Sequence, residues 1–130
     1  MMLTGVTAHP KLIVVVTPLE AGDAITNAIR AELTRHACDS LIVRGFPILS
    51  HFRRRGLPAV GIELELIARC DAVFALALPG WELSPSVLRQ LRHAEERAVP
   101  ITVVDPIALT MRPLLDLSCF SNPATHGPTA

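Results

Sequence analysis

The apolar run Asp71–Leu78 and the segment after it, Pro79-Gly80-Trp81-Glu82-Leu83-Ser84-Pro85-Ser86, constrain this chain more than anything else in it. The run is short, almost wholly apolar and closed by a Pro-Gly pair, the pattern of a strand buried on both faces of a parallel sheet. From Pro85 to Arg97 the spacing becomes helical, with Val87, Leu88, Leu91, Ala94 and Ala98 on one stripe at about 100° per residue. Ser84 is placed to cap this helix, with Pro85 in its first turn, where a missing N–H costs nothing. Strand, tight glycine turn and helix start bring a helix N-terminus to the carboxyl edge of a sheet. Open α/β sheets hold their ligands at that edge.

The rest of the chain repeats the alternation. Lys11–Val16 carries Leu-Ile-Val-Val-Val and reads as a central parallel strand. Thr17-Pro18-Leu19-Glu20 ends it with the spacing of a capping box, and a helix is expected from about Asp23 to Arg35. Ser40–Val43 reads as a second strand, followed by an irregular stretch from Gly45 to Pro58 with Pro47, Gly56 and Pro58 in it. A second helix is expected over Ala59–Arg69, a fourth strand over Pro100–Val104, and a short final helix over Pro106–Leu117, broken at Pro113. The expected fold is α/β: a small Rossmann- or flavodoxin-like parallel sheet of four to five strands with helices on both faces. Leu12–Val16, Ala72–Leu78 and Ile101–Val104 should be central. Residues 1–10 read as a loose lead-in, 11–117 as the one domain, and 118–130 as a flexible tail.

Composition narrows the partners. Twelve basic residues balance twelve acidic ones, for a formal net charge of zero. That balance argues against a nucleic-acid polymer or an anionic membrane as partner, and it removes charge repulsion between copies, which suits a homodimer or higher homo-oligomer. Cys38, Cys70 and Cys119 form no C-x-x-C pair, so no metal site is expected, and they read as reduced, mostly buried thiols of a cytoplasmic protein. No signal-peptide pattern opens the chain, and no apolar run is long enough to span a bilayer.

The expected carboxyl edge gathers a set of candidates. Glu63 lies near the start of the second helix and Gln90 in the second turn of the third, each at the margin of an apolar stripe, so either side chain can point into a cleft. Glu63 also suits the positive end of its helix, and Glu65 falls on the solvated side. Trp81, the one tryptophan, is either a wall for a stacked ring or a plug against a neighbouring subunit. His51 and the run Arg53-Arg54-Arg55 sit in the irregular stretch, where a ligand, a phosphate or only solvent can meet them. His36, His93, Glu95 and Glu96 read as helix-surface residues.

Leu78-Pro79-Gly80-Trp81, then Ser84, position 90, Ala94 and Pro100 resemble the nucleoside 2-deoxyribosyltransferase superfamily, over roughly Leu12–Val104. Thr17-Pro18 stands where that family has Gly-Pro after the first strand, and Phe46-Pro47-Ile48-Leu49-Ser50-His51 is similar to its second-strand exit. The resemblance implies a Rossmann-like domain with no cofactor that cleaves or exchanges N-glycosidic bonds of nucleosides or nucleotides. It makes Thr17, Pro18, His51, Gly80, Trp81 and Ser84 ligand-binding residues, and Glu63 an acid that assists the departing base. The nucleophile position is occupied by Gln90. A carboxylate there forms a glycosyl ester, whereas a neutral carboxamide is a poor nucleophile. The chain also lacks the tyrosine that often follows the first-strand Gly-Pro, and Ser86-Val87 replaces Gly-Ala. The resemblance therefore implies a nucleoside- or nucleotide-binding protein with altered chemistry: an N-glycosidic hydrolase in which water attacks, Glu63 serves as acid or base and Gln90 orients the sugar. The alternatives are a catalytically inactive sensor or partner subunit, and an interaction protein whose Trp81 edge is covered by another chain.

Overall fold

The computed structural model describes residues 11–18, 22–49, 59–115 and 117, without the side chains of residues 49 and 59–63. A five-stranded sheet runs in the order β2-β1-β3-β4-β5, with β1 Ile13–Val16, β2 Ile48–Leu49, β3 Ala72–Leu76, β4 Ile101–Val104 and β5 Met111–Pro113. The first four strands are parallel, and β5 pairs antiparallel with β4 along the edge. Three helices connect them: α1 Ala24–Val43, α2 Ala59–Arg69 and α3 Pro85–Glu96. The expected open α/β sheet with β1, β3 and β4 at its centre is present.

Strand alternation sorts the core into two layers. Val14, Val16, Val73, Ala75, Ile101 and Val103 point to one face, where they join Ile67 of α2 and Val87, Leu91 and Ala94 of α3. Ile13, Val15, Phe74, Leu76 and Val104 point to the other and meet Ala37, Cys38 and Leu41 of α1. Helices therefore cover both faces, and the strands are apolar without interruption because both sides of each are buried.

Two expected elements are corrected. Ser40–Val43 is not a strand but the last turn of α1, and the second strand is Ile48–Leu49. Ala37, Cys38 and Leu41 are buried at helical spacing, while Ile42 and Val43 are exposed, which a two-sided buried strand would not allow. The helix stops where Gly45 adopts φ +97°, its N–H bonding the Ile42 carbonyl and the Phe46 N–H the Leu41 carbonyl. These two bonds make a Schellman cap, the role in which glycine follows a helix. The start of α1 is also set by a different residue than the capping-box spacing suggests: Asp23 Oδ1 accepts from the Thr26 N–H at 2.7 Å.

The second correction is the segment after β4. Pro106–Leu117 does not form a helix. Asp105 Oδ2 accepts from the backbone N–H groups of Ile107 and Ala108, and the Leu109 N–H bonds the Asp105 carbonyl, reversing the chain. Met111–Pro113 then returns antiparallel to β4. Pro113 is tolerated because an edge strand leaves one side of its backbone unpaired. At the amino ends of the central strands, Asp71 Oδ2 accepts from the N–H groups of Lys11 and Leu12, tying the starts of β1 and β3 together.

Candidate functional site at the carboxyl edge

The strand order creates one special place. From β1 the chain crosses through α1 to β2 on one side, and from β3 through α3 to β4 on the other. The helices that follow β1 and β3 lie on opposite faces, so the carboxyl ends of these two neighbours diverge into a crevice. Open α/β sheets bind ligands at such a switch point. Val16 pairs with Ala75, so Thr17-Pro18 after β1 and the Leu78–Trp81 turn after β3 flank the same crevice. Both Thr17 and Pro18 are buried.

The turn after β3 is built by hydrogen bonds of its own. The Leu78 N–H bonds the Leu76 carbonyl, and the Trp81 N–H bonds the Leu78 carbonyl. Gly80 takes φ +79°, a left-handed conformation that suits glycine. Arg30 of α1 donates from Nε to the Pro79 carbonyl oxygen at 3.1 Å. A Cβ on Gly80 would lie 2.9 Å from Arg30 Nη2, the far end of a flexible side chain that can shift to admit it, so it is the positive φ that calls for glycine. Arg30 carried no signal in the sequence, since nothing local links it to a turn 49 positions away.

Trp81 is more enclosed than either sequence reading implies. It is 6% exposed and belongs to the core cluster with Val16, Val87 and Leu91. Its own chain covers most of the ring, so little of it is open to a stacked ligand or to a neighbouring subunit. It instead fixes a one-turn 3-10 segment, Trp81–Leu83, ahead of α3.

Ser84 caps α3 as its spacing predicts: it is extended and buried, and its Oγ accepts from the Val87 N–H at 3.2 Å. Its Oγ also lies 3.0 Å from that of Ser86. Gln90 stands one turn further on and is more enclosed than a stripe margin implies, at 2% exposed among the inward-facing residues of α3. Its Nε2 donates to the Ser86 carbonyl at 3.0 Å. A carbonyl only accepts, so this contact requires the amide nitrogen on that side. Oε1 is left buried with no hydrogen-bond partner. An unsatisfied buried acceptor of this kind costs about 1–3 kcal/mol. The described buried polar residues are Thr17, Ser84, Ser86 and Gln90, none of them charged.

Other candidates fall elsewhere. The backbone of Glu63 lies in the second turn of α2, but its side chain is outside the described residues, as are His51 and Arg53-Arg54-Arg55. Glu65 is exposed and paired with Arg69, as its solvated position predicts. A hollow of about 430 Å³ lies between α2 and α3, lined by Leu64, Pro85, Leu88, Arg89, Arg92, His93 and Glu96, on the outer side of α3 from Gln90. Cys38 and Cys70 are buried and outside any disulfide, and burial pushes the Cys70 thiol above its ordinary pKa. Among the described residues no cluster of three metal-binding side chains forms, and no helix is long and apolar enough to cross a membrane.

A scan against protein-family models, a search of curated proteins and a search of solved structures each found no match.

Proposed function

We propose that this chain binds a nucleoside or nucleotide in the crevice between the carboxyl ends of β1 and β3. The supporting observation is that the Pro79-Gly80 turn, which lies in the segment carrying the resemblance to nucleoside 2-deoxyribosyltransferases, and Thr17-Pro18, which stands where that family has Gly-Pro, flank one topological switch point. The N-terminus of α3 opens beside it, capped by Ser84. In the catalytic version, water attacks the N-glycosidic bond, Glu63 gives or takes the proton at the departing base, and Gln90 orients the sugar. Covalent transfer between bases is not part of it, because a carboxamide at position 90 forms no glycosyl ester.

A second version, a sensor or partner subunit that binds without turnover, is favoured by one observation. The buried polar set around Gln90 holds hydroxyls and a carboxamide but no carboxylate among the described residues. Measuring free-base release from nucleosides, deoxynucleosides and their monophosphates separates the two. Slow hydrolysis that falls at least tenfold in Glu63→Gln supports the enzyme; binding without base release supports the sensor. Robust exchange between bases by the wild type removes the assignment of Gln90 to the nucleophile position.

The protein is proposed to act as a homodimer or larger assembly in the cytoplasm. Ile25 and Ile29, one turn apart at the start of α1, are 74% and 45% exposed, and zero net charge places no repulsion between copies. Light scattering should give at least twice the 14.0 kDa chain mass. A monomer mass at micromolar concentration contradicts this. The buried thiols of Cys38 and Cys70 fit a reducing compartment.

A further inference from the structure

We propose that the hollow between α2 and α3 is a second binding site, separate from the β1–β3 crevice, and that it takes a small monocarboxylate with an apolar body, such as a medium-chain fatty acid anion. The hollow measures about 430 Å³, within the range of about 300–1,000 Å³ that small-molecule sites occupy. Pro85, Leu88, Arg89, Arg92, His93 and Glu96 of α3 line it. They recur at three- and four-residue spacing, which keeps them on one face of the helix. That face is turned away from Val87, Leu91 and Ala94, which pack into the core. Leu64 of α2 forms the facing wall.

The lining chooses the ligand. Leu64, Leu88 and His93 are half-buried, while Pro85, Arg89, Arg92 and Glu96 are exposed around them. Arg89 and Arg92 stand about one turn apart, and among the described residues neither makes an ion pair. Arg35 and Arg69, by contrast, are held by carboxylates of their own helices. Glu96 lies four residues after Arg92, but the arginine-first order is the weaker one for such a pair. Two guanidinia are thus open to a ligand, and a carboxylate accepts from them in bidentate fashion. Two arginines against one glutamate leave one net positive charge, which a monoanion balances. A dianion would set excess negative charge beside Glu96. Arg92 follows Pro85 by seven residues, about 10 Å of helix, which an extended eight-carbon chain spans. A carboxylate on the arginines then lays its chain over Leu88 toward Leu64 and Pro85, away from Glu96. Apolar burial on the leucines drives association, whereas charge contacts with exposed arginines alone add little, so the site needs both parts of the ligand.

The test is an amide-detected NMR titration of wild type, Arg89→Gln/Arg92→Gln and Glu96→Gln with octanoate, acetate and octan-1-ol. Both arginines are exposed, so the double variant should fold as wild type does. Octanoate at millimolar concentration should shift Leu64, Leu88, Arg89 and Arg92 together and leave Thr17 and Gly80 unmoved. Acetate carries the charge without the body and octan-1-ol the body without the charge, and each should bind about tenfold more weakly or worse. The double variant should lose about tenfold in octanoate affinity and keep its affinity for octan-1-ol, while Glu96→Gln should bind octanoate more tightly. Equal binding of octanoate and octan-1-ol, or an unchanged double variant, would reduce the hollow to an apolar patch and overturn the proposal. Acetate binding as tightly as octanoate, or no shifts in the hollow, would overturn it as well. The result does not depend on whether nucleosides bind the crevice.

Discussion

Arg30 Nε, on α1, donates to the carbonyl oxygen of Pro79 at 3.1 Å, and Nη2 of the same guanidinium lies 2.9 Å from where a Cβ on Gly80 would stand. One side chain from the α1 layer thus holds the turn that leads into α3 on the other face. The turn conformation depends on the glycine through its left-handed φ, while the guanidinium, at the end of a flexible side chain, can give way.

Gly80→Ala should therefore destabilise the fold by about 1–2 kcal/mol from the left-handed backbone alone. Displacing the flexible end of Arg30 adds little to that. Removing the guanidinium in Gly80→Ala/Arg30→Ala should recover only the contact part and leave the backbone cost. Urea unfolding of the two variants and wild type measures this. A Gly80→Ala protein as stable as wild type would show that the turn is not held as described.

Ala98 offers the opposite case. It sits at φ +60° just past α3, its N–H bonding the Glu95 carbonyl and the Val99 N–H the Ala94 carbonyl. This is the same cap that Gly45 makes after α1, with a residue that strains to adopt it. Ala98→Gly should stabilise the protein by about 1 kcal/mol, read as a rise in the urea midpoint with an unchanged slope. The position is remote from the proposed site, so ligand affinity should not change.

The hydrogen bond from the Thr26 N–H holds the Asp23 carboxyl below its ordinary value of 3.8. A carboxylate lowered by folding supports the folded state above its unfolded pKa, and the support fades as pH falls through the folded value. The first turn of α1 should hold its amide protection at pH 5 and lose it below about pH 3.8. Asp23→Asn keeps a capping oxygen that does not titrate, so its α1 protection should be flat across that range. Site-resolved amide exchange makes the comparison, and identical profiles for the two proteins would remove Asp23 as the cap.

Much of this fold was legible in the sequence, for physical reasons that also explain the misses. The unbroken apolar runs of β1, β3 and β4 signal strands buried on both faces, and Ser84-Pro85 announces the start of α3. Ser40–Val43 misleads because three apolar residues in a row satisfy a short strand and a helix end equally. The Ala37, Cys38 and Leu41 spacing and Gly45 were the signals that decide it. Asp105 and the antiparallel β5 were hidden because a side chain bonding its own turn has no periodicity. Thr17-Pro18 and Gly80 could be placed at one edge from strand order. Arg30 and the orphaned Oε1 of Gln90 could not, since both depend on contacts that only the folded chain makes.

Gln90 should cost stability in the absence of ligand. The Ser86 carbonyl keeps its helical partner, the Gln90 backbone N–H, when the side chain is changed. Gln90→Met then removes an unsatisfied atom and should leave the protein equal in stability or up to about 2 kcal/mol more stable. Gln90→Glu buries a carboxyl in a neutral setting, so it should be less stable at pH 8 than at pH 5, where protonation relieves the charge. On the proposed reading its base-release activity should rise above wild type, since a carboxylate there supplies a nucleophile. Thermal unfolding at both pH values and the base-release assay test this. A marked loss of stability in Gln90→Met would show that Oε1 is satisfied in solution.

The most direct test of the central claim is to follow backbone and side-chain amides of the 15N-labelled protein while a nucleoside or its 5′-monophosphate is added. Binding in the β1–β3 crevice predicts shifts concentrated at Thr17, Gly80, Ser84 and the Gln90 side-chain amide, with Asp71 at the opposite sheet edge unmoved. Shifts confined to Arg89, Arg92 and His93 in the hollow between α2 and α3, or no shifts at millimolar ligand, would contradict it.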